Sequence, residues 1–172
     1  MSKPKNFLYA IKYLYVNKNT GIIQAPTRHT HYKLNHWYSI GDIVPTLCVA
    51  GYHFPTKHNI LSHDQLEENW YADYKGCCNH SQYEMKTFLV KVSGIFDISD
   101  TKICAQEILI VKDTGITNKK NLEKYVRELI ANNPGKTAYD VDSKISHHEY
   151  ARLYKNLEQF TLPKNSPRFR IK

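Results

Sequence analysis

The first two thirds of the chain carry apolar and aromatic residues in short runs separated by turn-forming residues. Residues 7–16 (Phe-Leu-Tyr-Ala-Ile-Lys-Tyr-Leu-Tyr-Val) predict a strand that ends in a turn at 17–21. Shorter extended segments are expected at 37–40 and 49–54. Residues 22–36 contain Pro26 and show no clear period, which favours a loop or an edge strand.

Two longer apolar runs give the clearest strand signals in the sequence. The first covers residues 86–93 and ends at Gly94, and the second covers residues 102–112. The residues between them, 95–101, are rich in Asp and Ser and predict a turn. We therefore expect these two strands to lie side by side as an antiparallel pair in the core.

Helical spacing dominates the last third of the chain. Apolar residues trace one face over 117–132, which Asn133-Pro134-Gly135 ends, and another over 146–160. An earlier helix is expected at 58–72, where Ser62 and Gln65 fit a capping box. Strands followed by helices indicate an α+β fold, in which a β-rich body with antiparallel strands precedes two amphipathic C-terminal helices. The expected organisation is a body at 1–116, a helical extension packed on it at 117–162, and a basic flexible tail at 163–172.

Composition is that of a folded protein without a membrane span. Of the 172 residues, 41% are hydrophobic and 12% aromatic, and no run approaches the roughly 20 apolar residues that a span needs. The N-terminal residues do not form a signal peptide, so a cytoplasmic protein with four free cysteines is expected. Cys77, Cys78 and His80 could contribute to a zinc site, but the repeated ligand spacing is absent, and no metal is predicted.

Positive charge is concentrated at the two ends of the chain. The net charge is +8, from 24 Lys and Arg against 16 Asp and Glu. The first acid is Asp42 and the last is Glu158, and ten bases lie outside them. If the fold brings the ends together, they form one positive surface that attracts phosphate backbones. The alternative is an imbalance that only favours solubility.

Histidines and aromatics accompany these bases. His29, His31 and His36 are interleaved with Tyr32, Trp37 and Tyr38, and Arg168-Phe169-Arg170 repeats the combination near the C-terminus. Cations neutralise phosphates while aromatic rings stack on unpaired bases; a surface loop packed by its own aromatics is the alternative. The candidate nucleic-acid-binding residues are Lys3, Lys5, Lys12, Arg28, His29, His31, Lys33, Lys164, Arg168, Arg170 and Lys172.

The common catalytic motifs are missing. The sequence contains no GxxxxGK[ST] loop, no GxGxxG, no HExxH and no GxSxG. It has only 7 glycines, which disfavours a glycine-lined nucleotide site. These observations favour a protein without enzymatic activity and without a cofactor.

Four short motifs resemble a small uncharacterised domain of phage and bacterial proteins. They are a Trp-Tyr-x-x-Gly step at 37–41, Gly-Tyr-His-Phe at 51–54, a strand ending in glycine at 88–94, and Asp-x-Lys-Ile-x-Ala at 100–105. The similarity covers roughly residues 7–113. It implies the fold and a phage-type origin, and it carries no established activity.

The same region also resembles the ADP-ribosyltransferase core. Gly51-Tyr52-His53-Phe54 is similar to the step that those enzymes place beside nicotinamide, and Glu107 opens a late strand as their catalytic glutamate does. The resemblance implies NAD as cofactor, Tyr52 or His53 stacked on nicotinamide, and Glu107 stabilising the oxocarbenium-like transition state. The alternatives are a half-exposed strand glutamate and a structural, hydrogen-bonded histidine.

Three functions follow from the sequence. The leading hypothesis is a non-enzymatic, phage-type accessory protein whose basic ends bind nucleic acid or an acidic host protein complex. The second is an NAD-dependent transferase that uses Tyr52, His53 and Glu107. The third is a host-takeover or anti-defence module whose helical tail docks on a protein partner. The sequence does not decide the oligomeric state.

Overall fold

The computed structural model describes residues 6–26, 30–46, 50–62, 82–98, 102–139, 160–161 and 169–171. Within these residues the chain forms nine strands and two helices. The strands are β1 (Leu8–Asn17), β2 (Ile23–Gln24), β3 (His31–Tyr32), β4 (Trp37–Ser39), β5 (Tyr52–Pro55), β6 (Tyr83–Ile98), β7 (Lys102–Asp113), β8 (Phe160–Thr161) and β9 (Phe169–Ile171), and the helices are α1 (Lys57–Ser62) and α2 (Lys119–Asn132).

All strand pairs of this sheet are antiparallel. The strand order is β3-β2-β1-β6-β7-β4; β5 also pairs with β7, β9 pairs with β6, and β8 pairs with β9. The expected β-rich body with antiparallel strands is therefore confirmed. Paired strands run in opposite directions, so connections that reverse the chain are enough to join them, and the described sheet needs no parallel crossover.

The pair β6–β7 forms the centre of the sheet, as the sequence predicts. Val90 lies opposite Ile110 and Val92 opposite Ile108, and all four side chains are fully buried. β6 differs from the expectation at Gly94, where it does not end but continues to Ile98.

A β-bulge carries β6 through Gly94. The register shifts between Ser93 and Phe96, and Gly94 has φ +85°, a conformation that L side chains rarely adopt. A Cβ at this position would lie 2.5 Å from Oε1 of Gln106. Glycine thus allows the strand to bend and to continue, although the same residue type often ends a strand.

The sheet curls until its two end strands touch. The ring of Tyr32 in β3 packs perpendicular to that of Tyr38 in β4 at 5.1 Å, and it lies 6.4 Å from the ring of Tyr52 in β5. The backbone N–H of Lys33 donates to the hydroxyl of Tyr38 at 2.8 Å. Curling encloses the apolar residues of the inner face in one core.

α2 covers part of the opposite face of the sheet. Asn118 caps its N-terminus by accepting from the N–H of Asn121 at 2.9 Å, and the helix buries Leu122, Val126 and Leu129. The predicted helix at 117–132 is confirmed, and its apolar stripe packs on its own sheet. The second predicted helix, at 146–160, is not confirmed: most of it lies outside the described residues, and Phe160 belongs to the short strand β8.

The early helix begins sooner than its capping box suggested. α1 starts at Lys57, and the hydroxyl of Thr56 accepts from the N–H of Asn59 at 3.2 Å, so Thr56 supplies the cap that the sequence analysis assigned to Ser62. Ile60 anchors the helix in the core. Residues 63–72 of the predicted helix fall outside the described residues.

The chain after α2 is fixed to the remaining edge of β1. The N–H of Tyr9 donates to the carbonyl of Lys136 at 2.7 Å, and the N–H of Ala138 donates to the carbonyl of Tyr9 at 2.9 Å. The hydroxyl of Tyr139 accepts from the N–H of Ile11 and donates to its carbonyl. These bonds hold α2 against the sheet near the start of β1.

Two expectations from composition concern the described residues. Cys104 is fully buried and forms no disulfide, as expected of a small core residue, and its thiol donates to the carbonyl of Ala50 at 3.0 Å; the other three cysteines lie outside the part that the structure describes. No helix among the described residues is long and apolar enough to cross a membrane.

Candidate functional site

Both ends of the described chain lie against the same short stretch of β6. β1 begins with Leu8 opposite Val92, and the hydroxyl of Ser93 donates to the carbonyl of Asn6 at 2.7 Å. Beyond the bulge, Arg170 of β9 lies opposite Ile95. We call the region formed by Asn6, residues 93–96 and Phe169–Ile171 the terminal corner.

Strand direction makes the two ends converge at this corner. β1 and β9 both run antiparallel to β6, and β9 occupies the edge of β6 that β1 leaves open beyond Val92. The last residues of β9 therefore run toward the first residues of β1. The described residues nearest to the two ends, Asn6 and Ile171, therefore lie along the same edge of β6.

Further lysines lie beside the terminal corner. Lys91 is half-exposed on β6, and its ammonium lies 4.3 Å from the ring centroid of Phe7. Lys136 is exposed, and its carbonyl binds the N–H of Tyr9. The ammonium of Lys91 thus lies beside the start of β1.

Lys12, one of the predicted phosphate-binding residues, is buried. It is only 5% exposed, and its ammonium donates to the carbonyl of His53 across the curled sheet. Burial lowers the pKa of Lys12 from 10.5 to about 8, and the neighbouring Cys104 opposes this shift only in part. The side chain faces protein, so it does not offer its charge to a ligand at the surface.

Of the other predicted binding residues, three lie within the described residues: His31, Lys33 and Arg170. His31 and Lys33 are exposed on and beside β3, at the seam where the sheet closes. Arg170 belongs to β9. The rest lie outside the described residues: Lys3, Lys5, Arg28, His29, Lys164, Arg168 and Lys172.

The tyrosines of the histidine-rich segment are mostly internal. Tyr32 is buried, and burial together with the neighbouring hydroxyls of Tyr52 and Tyr38 raises its pKa well above the usual value. Exposed His36 packs on Tyr38 with ring centroids 4.7 Å apart. This segment combines exposed cations with aromatic rings that support the seam from inside.

A second aromatic surface, which the sequence analysis missed, crosses the outer face of the sheet. Tyr9, Lys91, Leu109 and Trp37 lie directly opposite one another on β1, β6, β7 and β4, so their side chains point to the same side. All four are half-exposed. Phe7 packs on Tyr9 at 5.1 Å, edge to face. We call these five residues the outer strip.

Tyr52 and Glu107 lie close together, on neighbouring strands. Tyr52 is opposite Ala105, two residues from Glu107 on β7, and both side chains are half-buried. Burial raises the pKa of Tyr52, and Tyr38 and then the carboxylate of Glu107 add to the shift. The contact shown for the His53 ring is with neither Tyr52 nor Glu107: its Nδ1 lies 3.2 Å from the carbonyl oxygen of Gly51.

Neither a metal-binding cluster among the described residues nor a known related protein points to a function. No group of three or more His, Cys, Asp or Glu side chains that could hold a metal occurs within the described ranges, and the candidate Cys77, Cys78 and His80 lie outside them. Comparison with protein-family models, with curated proteins and with solved structures finds no match.

Proposed function

We propose that this protein binds nucleic acid through the terminal corner and catalyses no reaction on it. The observation that carries the proposal is the pairing of β9 and β1 with the same edge of β6. Sequence places ten bases and no acid in the two terminal segments, of which Lys12 is withdrawn into the core. Lys18 follows the far end of β1, and the bases nearest to the corner along the chain are Lys3, Lys5, Arg168, Arg170 and Lys172; these would form the surface for phosphates.

The charge balance of the folded part supports the same proposal. Fourteen Lys and Arg residues but seven Asp and Glu residues lie within the described ranges. Four of those acids are within ion-pair distance of lysines, in the pairs Lys86–Glu84, Lys86–Asp113, Lys119–Glu123 and Lys124–Glu128. Glu107, opposite Ser93, and Asp97, next to Phe96, are the acids nearest to the corner along these strands and offset part of its field, which is screened over about 8–10 Å in physiological salt.

An acidic host protein complex would be attracted by the same charges. Phosphates of nucleic acid are favoured because their regular charge spacing suits several cations at once, and because aromatic side chains adjoin the corner. The phage-type origin and the host interaction remain predictions from the resemblance.

The test is binding of a fluorescein-labelled oligonucleotide as a function of salt. If about four cations contact phosphates, log K should fall with log salt with a slope near −3 to −4. Arg168→Ala/Arg170→Ala/Lys172→Ala should flatten that slope. Lys18→Ala/Lys112→Ala/Lys120→Ala, which removes three exposed lysines away from the corner, is the matched control and should leave the slope unchanged. No binding at low salt would remove the proposal.

A second candidate function rests on the closeness of Tyr52 and Glu107. A fixed carboxylate beside a half-buried aromatic ring is an arrangement that can stabilise positive charge at the anomeric carbon of NAD while the ring contacts nicotinamide. His53 supports this candidate less, since its ring lies at the carbonyl of Gly51 and its own carbonyl binds Lys12. Consumption of NAD by the wild-type protein is the test.

A further inference from the structure

The outer strip offers apolar and aromatic surface where the charged ends converge. From Tyr9 to Trp37 it spans three inter-strand spacings, about 14 Å. Phe7 extends it beside Tyr9, next to Asn6 at the terminal corner. Lys91 lies within the strip, with its ammonium 5.8 Å from the ring centroid of Tyr9.

We propose that the outer strip stacks unpaired bases, so that the ligand of the terminal corner is single-stranded nucleic acid. This inference rests on the proposed function, because the corner supplies the phosphate contacts. Aromatic side chains on one face of a four-stranded antiparallel sheet are suited to stack two or three bases, and the width of the strip matches that number.

Charge complementarity orients the strand on this face. The ammonium of Lys91 lies toward the β1 side of the strip, near the rings of Phe7 and Tyr9, so the sugar-phosphate backbone passes there. Glu107 is on the same face one row away, between Ser93 on β6 and Ser39 on β4. Its carboxylate repels phosphates, so the bases rather than the backbone lie over β7.

Base pairing would remove the surfaces that the strip needs. In a duplex the faces of the bases are stacked on one another, whereas in a single strand they are free to stack on Tyr9 or Trp37. Loss of one stacked base by truncating an aromatic side chain weakens binding by about 5- to 150-fold. A purely electrostatic site would instead favour the duplex, which has the higher charge density.

The experiment compares single strands of DNA and of RNA with the corresponding DNA duplex, using fluorescence anisotropy over a series of salt concentrations that starts at low salt. Tyr9→Leu and Trp37→Leu should each weaken binding of a single strand at least 5-fold without changing its salt slope, and Tyr9→Phe should restore it. Tyr83→Leu is the matched control, because Tyr83 is a half-exposed tyrosine at the other end of β6, packed edge to face on Tyr15 at 6.2 Å. Circular dichroism and thermal melting verify that each variant is folded.

The outcomes separate this inference from the proposed function. Single strands bound more tightly than the duplex, with losses in Tyr9→Leu and Trp37→Leu but not in Tyr83→Leu, support the outer strip. Salt-sensitive binding that favours the duplex and is unchanged in both variants overturns the strip and leaves the terminal corner standing. No salt-sensitive binding to any of the three nucleic acids overturns both.

Discussion

Arg170 lies opposite Ile95 on β6, two residues beyond the serine whose hydroxyl binds the carbonyl of Asn6. The first and last described residues of the chain therefore lie along one edge of one strand. Asn6 and Arg170, which are far apart in sequence, thus lie near each other at the part of the β6 edge that β1 leaves uncovered. The proposed function depends on this relationship.

The burial of Lys12 should make the stability of the protein depend on pH. The folded protein holds the pKa of this ammonium at about 8, below its value of 10.5 in the unfolded chain, so the unfolded chain binds the proton more tightly between these pH values. Stability from this group accordingly rises as the pH increases from about 8 toward 10.5, and below pH 8 its burial is unfavourable by roughly 3 kcal/mol.

The comparison of wild type with Lys12→Met isolates that contribution. Between pH 7 and pH 10 the free energy of unfolding of the wild type should rise by about 2 to 3 kcal/mol relative to the variant. Lys18→Met, at an exposed position just after β1, should show no such difference. Urea unfolding at several pH values measures it; parallel curves for wild type and Lys12→Met would show that the ammonium is not buried.

Glu107→Gln separates the two candidate functions. It keeps the size of the side chain and removes its charge, so folding should be retained. For a nucleic-acid-binding protein, loss of a negative charge beside the outer strip should leave affinity unchanged or raise it a few-fold at low salt. We expect the wild type to consume no NAD. NAD cleavage that falls about 100-fold or more in the variant would favour the enzyme instead.

The bulge at Gly94 should be sensitive to any side chain. Gly94→Ala combines an unfavourable positive φ with a Cβ that would lie 2.9 Å from the Cβ of Gln106, so we expect a loss of about 2 to 4 kcal/mol. Gly115→Ala has φ +70° but nothing within 4 Å of the new Cβ, so it should cost only about 1 to 2 kcal/mol. Equal losses in thermal or urea unfolding would show that Gln106 does not crowd the bulge.

Amide exchange should identify β6 and β7 as the most stable part of the fold. Val90, Val92, Ile108 and Ile110 are fully buried and lie in a strand pair that has partners on both sides. Their amides should therefore open only with global unfolding and exchange among the slowest in the protein. Fast exchange throughout both strands would contradict the assignment of this pair to the core.

The pattern of apolar residues was sufficient for the central strands but not for their connections. Residues 86–93 and 102–112 are so rich in apolar residues that their pairing was predictable, whereas Gly94 reads as a strand end unless the bulge is known. Likewise, the segment around Tyr139 looks like a loop in sequence. Its pairing with β1 depends on where α2 delivers it, which is tertiary information.

Site residues were harder to predict because a strand has two faces. As a lysine, Lys12 is expected at the surface, yet it lies between Ile11 and Tyr13 in a strand that is buried on both faces. The outer strip was missed because its members come from four strands and meet only through the register of the sheet. Part of the strip is marked in the sequence, because Tyr9 and Lys91 each carry a polar group within an otherwise apolar strand. Their position opposite each other follows only from the register of β1 and β6.

The salt dependence of oligonucleotide binding, measured for both ends together, tests the central claim most directly. We compare wild type, Lys3→Ala/Lys5→Ala, Arg168→Ala/Arg170→Ala/Lys172→Ala and the combination of the two. Each set of substitutions should reduce the magnitude of the slope of log K against log salt by about 1 to 2. The combination should leave binding nearly independent of salt. The binding stoichiometry should be one oligonucleotide per chain for every variant. A slope that the combined variant leaves unchanged would contradict the account.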